Sequence, residues 1–286
     1  MRLVVLSDER MPAGPDGDGG MARSVWDLAD GLAARGHDVT LVGAPGSVFE
    51  RGTLLLRGAA IPPADAILDG THAHALSANR PDLPVINRIG DRECAWQPPN
   101  MTAETRYMQA HYPAARIIPL GMRDEAAEHF RATPGAYLAF LALNVAHKGL
   151  ETARQVAARA GIPLREHGSG TAGGVVHGEE KWAFLAGALA VLYPSAIDSS
   201  PRVPLEAALL GTPTICLDAD GTQEHVAHCV SGFVCADAGE MVEAARDARL
   251  LDRAAIRAWA LEEHSFDRML DEYEAALARV AEGDRW

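Results

Sequence analysis

The sequence predicts an α/β protein built from two doubly wound parallel-sheet domains that face each other across a cleft. Short apolar strands alternate with amphipathic helices in both halves of the chain, and such alternation is typical of parallel sheets. The apolar pattern lapses once, over residues 122–135, which indicates a hinge. A length of 286 residues also suits two domains. We therefore predict domains at residues 1–122 and 123–286.

The first half begins with a strand, a loop, a helix and a second strand. The helix is predicted to start near Gly20, and its apolar residues recur every three or four positions, which gives one buried stripe. The stripe consists of Met21, Val25, Leu28 and Leu32. Strands are predicted at RLVVLSD, HDVTLVG, TLLLRG, DAILDG, LPVINRIG and ARIIPLG, with a further helix at TAETRYMQAHY.

The second half repeats this organisation and ends in a long helix. Its tail is amphipathic, with Phe266, Leu270, Tyr273 and Leu277 on one face. Before the tail we predict strands at AYLAFLAL, IPLREHGSG, VVHG, ALAVLYP and TPTICLD, and helices at HKGLETARQVAARAG, EEKWAFLAGA and PLEAALLG.

Composition indicates a cytoplasmic enzyme rather than a nucleic-acid or membrane protein. The net charge of -13 disfavours a surface that follows a phosphate backbone. No apolar run is long enough to span a bilayer, and no secretory signal opens the chain. The four cysteines form no zinc or CxxC spacing, so we predict buried free thiols, as for Cys216 in its apolar strand.

The stretch from Ala188 to Val234 holds the strongest functional signal. It is predicted to fold as strand, loop, helix, strand and loop, with Pro204 as the first helical residue. Asp198 and Glu206 flank the loop, with seven residues between them. At the carboxyl edge of a parallel sheet, such a loop and the following helix N-terminus commonly bind anions.

The order of these segments resembles the family-4, glycogen-synthase-like retaining glycosyltransferases of the GT-B fold, over nearly the whole chain. The most specific match is AIDSSPRVPLEAALLGTPTICLDADGTQEHV followed by SGFV; RIIPLG, HKGLETA and the HGSG loop also match. The resemblance implies two Rossmann-like domains, with a C-terminal helix that crosses back to the N-terminal domain. It further implies sugar transfer, with retention and without a required metal or other cofactor. The donor would be a UDP- or GDP-sugar and the acceptor a small molecule or glycan.

The resemblance assigns the two carboxylates to the donor. Glu206 would bind the ribose hydroxyls; the alternative is a helix-capping carboxylate in the first turn. Asp198 stands where the family usually has Glu and would reach the donor sugar. Its alternative is a loop-capping role beside Ser199 and Ser200.

Two cations are predicted to meet the diphosphate. Lys148 precedes a helix start, where a cation is unfavourable next to the positive end of the helix dipole. A phosphate bound at the same site would account for a lysine there. Leu143 takes the place of a family arginine, and we hypothesise that Arg202 helps to replace it, since guanidinium groups fit phosphate oxygens. The alternatives are a solvated lysine and a solvated arginine at the rim.

Backbone groups and small loops complete the predicted donor site. The amides near Ser200, Val203 and Leu205 would contact the diphosphate, although Pro201 and Pro204 lack an N–H. Gly19 and Gly20 allow close approach of a ligand to the first loop, or belong to a flexible acidic loop. From the resemblance, the segment after the loop of Gly170 would line the base, which selects Val176 and His177.

The polar groups expected near the reacting sugar depart most from the family pattern. Family members commonly carry a histidine where this chain has Gly90 and Asp91. His72, His74 or Asp91 would take that polar role, and a solvated loop histidine is the alternative. No HExxH, carboxylate cage or catalytic triad is evident. A non-catalytic nucleotide- or glycan-binding helper and a sugar-nucleotide epimerase therefore stay open as alternative functions.

Overall fold

The chain folds into two compact units. The computed structural model describes residues 1–8, 10–15, 20–90, 94 and 96–286. One unit combines Met1–Leu120 with Asp267–Trp286, and the other is Gly121–Phe266. The chain thus returns to its first unit at the C-terminal end. Binding of the acceptor by the first unit and of the donor by the second stays a prediction.

Each unit is built on a parallel sheet. In chain order the strands are β1 (Arg2–Leu6), β2 (Asp38–Gly43), β3 (Thr53–Leu56), β4 (Ala66–Asp69), β5 (Val85–Ile89), β6 (Met101–Ala103), β7 (Arg116–Ile117), β8 (Leu138–Leu141), β9 (Leu164–His167), β10 (Ala190–Tyr193), β11 (Thr214–Leu217) and β12 (Gly232–Cys235). The first sheet has the order β3-β2-β1-β4-β5-β6-β7 and the second β12-β11-β10-β8-β9. Both are Rossmann-like, with a topological switch between β1 and β4 in the first sheet and between β10 and β8 in the second.

Helices connect the strands of both units. They are α1 (Gly20–Ala34), α2 (Ala75–Asn79), α3 (Arg106–His111), α4 (Leu150–Ala160), α5 (Gly178–Ala186), α6 (Arg202–Leu209), α7 (Ala238–Asp247), α8 (Arg253–Glu263) and α9 (Phe266–Ala281). Within the described residues, no helix combines the length and the apolar character needed to cross a bilayer.

The predicted amphipathic helices bury most of the expected faces, with Met21 and Phe266 only half-buried. In α1, Val25, Leu28 and Leu32 have no exposed surface. In α9, Leu270, Tyr273 and Leu277 are buried, which confirms the periodicity of the tail.

The second sheet is covered on both faces, as a parallel sheet requires. Alternate residues of β10 point to opposite faces. Ala190 and Leu192 pack in one apolar cluster together with residues of α4 and α7. Val191 packs in another with residues of α5 and α6. The sheet is therefore a fixed platform for the loops at its carboxyl edge.

Several local predictions are wrong. The helix predicted at TAETRYMQAHY begins with Thr102 and Ala103, which belong to β6, and α3 starts only at Arg106. VVHG forms no strand; Val175 is 48% exposed and the segment leads directly into α5. Pro204 is not the first residue of α6, since Pro201 is the N-cap and Arg202 opens the helix. The N–H groups of the first turn have no intrahelical partner, so a proline fits at its third position as well as at its first. The four cysteines are free, but Cys229 is exposed rather than buried.

Candidate functional site

Three of the predicted donor-site residues follow neighbouring strands at the carboxyl edge of the second sheet. Lys148 follows β8, Gly170 follows β9, and Asp198 follows β10. Because β8, β9 and β10 are neighbouring parallel strands, their following loops emerge at one edge. The loop after β10 is held on both sides: the Ala196 N–H donates to the His147 carbonyl at 2.8 Å, and the Thr222 hydroxyl donates to the Asp198 carbonyl at 3.3 Å.

Asp198 forms an ion pair with Lys148. The Lys148 ammonium and the Tyr193 hydroxyl both donate to Oδ2 of Asp198. The Lys148 and Asp198 side chains are only 18% and 17% exposed, so neither is a freely solvated loop side chain. The solvated-lysine alternative is therefore excluded.

Tyr193 links the two predicted carboxylates electrostatically. Burial raises the pKa of its phenol well above the usual range, and Asp198 and then Glu206 raise it further. The phenol is therefore neutral and donates its proton to Asp198 as a hydrogen bond. Tyr193 was not selected from the sequence, where it is only the last aromatic residue of a buried strand.

Glu206 is buried and is approached by two cations. Its side chain is 7% exposed, with Oε1 at 3.1 Å from Nζ of Lys181 and 3.7 Å from Nε of Arg202. The carboxylate lies at the fifth residue of α6, beyond the first turn, so the alternative of an N-terminal capping role does not apply. Lys181, on α5, was missed because nothing in EEKWAFLAGA distinguishes it from a surface lysine.

The first turn of α6 contributes few backbone donors. Pro201 and Pro204 carry no N–H, so the donors of the turn are the N–H groups of Arg202 and Val203. Leu205, fully buried, is the fourth helical residue, where a regular helix bonds the N–H to the N-cap carbonyl.

The Arg202 side chain is 11% exposed, which excludes a solvated arginine at the rim. Ser200 lies just before the turn.

The glycine loop after β9 is tied to the segment after β8. The Asn144 N–H donates to the Ser169 carbonyl at 2.9 Å, and its side-chain amide donates to the Gly170 carbonyl at 2.9 Å. A Cβ on Gly168 would lie 1.9 Å from the Ala142 carbonyl oxygen. Only glycine allows this approach, so the sequence signal at this loop is chiefly structural.

The residues predicted to line a base are placed differently. Val176 is buried, whereas His177 is exposed and occupies the N-cap position of α5. Leu143, which stands where the resemblance predicts an arginine, is a large apolar side chain that is 52% exposed.

In the first unit, His72 is held by an acidic residue of the neighbouring strand end. Its Nε2 lies 2.9 Å from Oδ2 of Asp8, which follows β1. Since β1 and β4 are paired, the loops that carry these residues emerge side by side. Asp8 is itself 5% exposed, while the His72 side chain is 22% exposed.

His74 is inside the first unit rather than at its surface. It is 2% exposed and adopts a left-handed backbone conformation with φ 46°. Its Nδ1 lies 3.8 Å from Oδ1 of Asp69, which also accepts from the Thr71 backbone and hydroxyl. This burial favours a structural role over direct contact with a sugar. Gly20 is the first residue of α1, while Gly19 and Asp91 lie outside the described residues.

Over the described ranges, one group of side chains has spacing suited to a metal ion. Glu128, His129 and Glu179 place one ligand atom each within 4.8 Å of one another. The imidazole Nε2 of His129 lies 2.8 Å from Oε2 of Glu179, which already accounts for their approach. None of the three is a predicted donor-site residue.

Residues 147–250 match the family model described as "Glycosyl transferases group 1". The matched range includes Lys148, Lys181, Asp198, Arg202 and Glu206, and thus both ion-paired carboxylates. This part of the chain is therefore similar to the group 1 glycosyl transferases. No curated protein gives a significant match.

Several solved structures are similar to this chain in fold, and one of them is described as a glycosyltransferase. AviGT4, a glycosyltransferase involved in avilamycin A biosynthesis, is 22% identical with a TM-score of 0.81, covering 100% of this chain and 99% of its own. Sucrose-phosphate synthase from Thermosynechococcus elongatus is 16% identical with a TM-score of 0.76, covering 99% and 100%. Anabaena Alr3699/HepE in complex with UDP-glucose is 14% identical with a TM-score of 0.72, covering 97% and 99%. The fold is thus that of the GT-B glycosyltransferases.

Proposed function

We propose that this protein is a retaining, metal-independent glycosyltransferase of family 4 that uses a nucleoside-diphosphate sugar. The observation that carries the proposal is the pairing of Asp198 with Lys148 and of Glu206 with Lys181 and Arg202, at one sheet edge and within the group 1 domain. The proposed donor is a UDP- or GDP-sugar. Alr3699/HepE, similar in fold, is described in complex with UDP-glucose.

The charges of this cluster suit a diphosphate leaving group. Three cationic side chains, Lys148, Lys181 and Arg202, accompany two carboxylates, which leaves one net positive charge among these five groups. Negative charge develops on the diphosphate as the glycosidic bond breaks. Pre-positioned cations stabilise that charge without reorganisation, so the side chains take the part that a metal plays in other transferases.

The proposal divides binding of the donor among the residues of this cluster. Glu206, anionic beside its two cations, accepts hydrogen bonds from the ribose diol. Lys148 and Arg202 contact the phosphates, with the backbone of Ser200 and Val203. Asp198, oriented by Tyr193, faces the donor sugar. The first unit holds the acceptor, a small molecule or glycan.

Release of free nucleoside diphosphate from separate sugar nucleotides tests the activity. UDP-glucose and GDP-mannose are incubated with the protein, with and without EDTA, and free UDP or GDP is measured. Slow release that EDTA leaves unchanged supports a metal-independent transferase, and the anomeric configuration of a transferred sugar, read by NMR, tests retention. Interconversion of the sugar nucleotide would instead identify an epimerase.

A matched pair of variants assigns the activity to this site. Glu206→Gln keeps the shape of the side chain and removes its charge, so nucleotide binding should weaken at least tenfold. Glu243→Gln makes the same change on the exposed surface of α7 and should have no effect. Equal nucleotide binding by both variants would contradict the proposed donor site. A thermal shift with UDP or GDP gives the readout, since ligand at a hundredfold its Kd adds about 2.7 kcal/mol.

One observation favours a second candidate, a non-catalytic nucleotide- or glycan-binding protein. Leu143, exposed in the position of the family arginine, supplies no charge to a phosphate. Binding of UDP or GDP without any release from sugar nucleotides would select this candidate.

A further inference from the structure

A cavity in the first unit offers a second ligand site, separate from the donor-site residues. It has a volume of about 280 Å³ and lies where β1, β2 and β4 end. All of its lining residues belong to the first unit. Its size is near the lower end for small-molecule pockets, about 300–1,000 Å³, and suits one compact ring compound.

The cavity exists because one crossover of the sheet lacks a helix. Nine residues, 57–65, join β3 to β4 across β2 and β1, and none of them is helical. Pro62 and Pro63 remove two backbone donors from this short segment, which prevents a helix. Gly58, with φ 93°, turns the chain back over the sheet directly after β3.

Apolar side chains form most of the cavity wall. Leu6, Val42, Ile61 and Leu76 line it and also pack in one apolar cluster beneath the crossover. In a parallel sheet this face would ordinarily be covered by a helix. A ligand with apolar surface would therefore gain burial here without displacing any element.

A buried hydroxyl adjoins the apolar wall. Ser7 lines the cavity and is 3% exposed, and within the described parts of the chain its Oγ has no hydrogen-bond partner. A buried hydroxyl without a partner is costly, and a ligand hydroxyl would satisfy it. Thr71 lines the same cavity but already donates to Asp69 at 2.6 Å.

We propose that this cavity binds one compact, mainly apolar ring compound whose hydroxyl group hydrogen-bonds to Ser7 Oγ. Its role as the acceptor site rests on the proposed glycosyltransferase function, in which the first unit holds the acceptor. Binding itself does not depend on that function, because no donor-site residue lines the cavity.

The test uses 2-naphthol as the probe, with calorimetry on the full chain in the absence of sugar nucleotide. Two variants place a larger side chain in the cavity lining, Ala59→Phe on the crossover and Ala75→Phe on α2, and both positions are exposed. Ala60→Phe and Ala78→Phe are their controls, since these exposed alanines belong to the same two elements but do not line the cavity.

We expect saturable binding to the wild type, at least tenfold weaker binding to the two filling variants and less than twofold change in the two controls. Ser7→Ala should weaken 2-naphthol about fivefold and leave naphthalene unchanged. The proposal is overturned if the wild type shows no saturable binding, if filling variants and controls bind alike, or if Ser7→Ala weakens both probes equally.

A separate titration with UDP distinguishes failure of this site from failure of the proposed function. Ala59→Phe should bind UDP as the wild type does. If 2-naphthol binds as expected and UDP does not, the cavity stands and the transferase proposal fails. If UDP binds and 2-naphthol does not, the donor site stands and the cavity proposal fails.

Discussion

At the scale of single residues, the two carboxylates of the proposed donor site are recognised by their ion-pair partners rather than by their spacing in the sequence. Asp198 and Lys148 are 50 positions apart, and Glu206 is 25 positions from Lys181. The sequence places each residue at the end of a strand or in a helix, but it carries no signal for which cation meets which carboxylate. These pairs could be found only in the folded chain.

Arg202 provides the first test at this scale. Arg202→Ala removes one of the two predicted phosphate contacts and leaves Glu206 beside Lys181. A charge-assisted hydrogen bond contributes about 1.5–3 kcal/mol, so UDP affinity should fall at least tenfold. Arg246→Ala, on the exposed surface of α7, is the control for loss of an arginine. Unchanged UDP affinity in Arg202→Ala would disprove the idea that this residue substitutes for the arginine absent at position 143.

His225 should make the fold sensitive to acid. It is 2% exposed, and burial, aided by His264, lowers its pKa from 6.5 to about 3. In acid the unfolded chain binds a proton that the folded chain excludes, so stability falls as the pH drops below about 6.5. Between pH 7 and pH 5 this group should cost about 2 kcal/mol of unfolding free energy.

The variant His225→Phe isolates this contribution. Urea unfolding at pH 7 and pH 5 measures the loss for both proteins, and the variant should lose about 2 kcal/mol less than the wild type. An equal loss in the two proteins would assign the acid sensitivity to other groups.

At the scale of elements, the sequence patterns predicted those helices and strands whose formation depends on local signals. The helical stripe of α1 and the apolar strands β10 and β11 were predicted because periodicity and turn residues are local signals. The strand predicted at VVHG was wrong because strand formation needs a neighbouring strand, and two adjacent valines do not supply one. The prediction of Pro204 as the first residue of α6 was wrong because proline fits the first turn of a helix at more than one position.

Gly168, in the loop after β9, tests whether the close contact with Ala142 fixes the conformation of this loop. Gly168→Ala would drive a Cβ into the Ala142 carbonyl at a residue with φ 132°. We expect a loss of about 2–4 kcal/mol in unfolding free energy. Gly161→Ala, also at positive φ but facing open space, should cost only about 1 kcal/mol. Urea unfolding compares the two, and equal losses would mean that the loop relaxes away from β8.

At the scale of the whole molecule, the sequence predicted the two-sheet architecture better than the site. Alternating strands and helices predict parallel sheets, and the amphipathic tail predicts a docked helix. The cavity under residues 57–65 was not predicted, because it results from a helix that the crossover lacks. A missing element leaves no periodicity in the sequence.

Because the chain returns to its first unit, we expect α9 to contribute to the stability of that unit. Tyr273 of α9 is 1% exposed, and its hydroxyl lies 3.4 Å from the Thr102 hydroxyl on β6. Tyr273→Ala should therefore cost about 3–5 kcal/mol, confined to the first unit. Hydrogen exchange followed by mass spectrometry should show lost protection in β5 and β6 and native protection in β8 and β10. Leu192→Ala, fully buried on β10, should give the reverse pattern. If either variant lowered protection in both sheets equally, the two compact units would open as one, and α9 would stabilise the whole chain rather than the unit to which it returns.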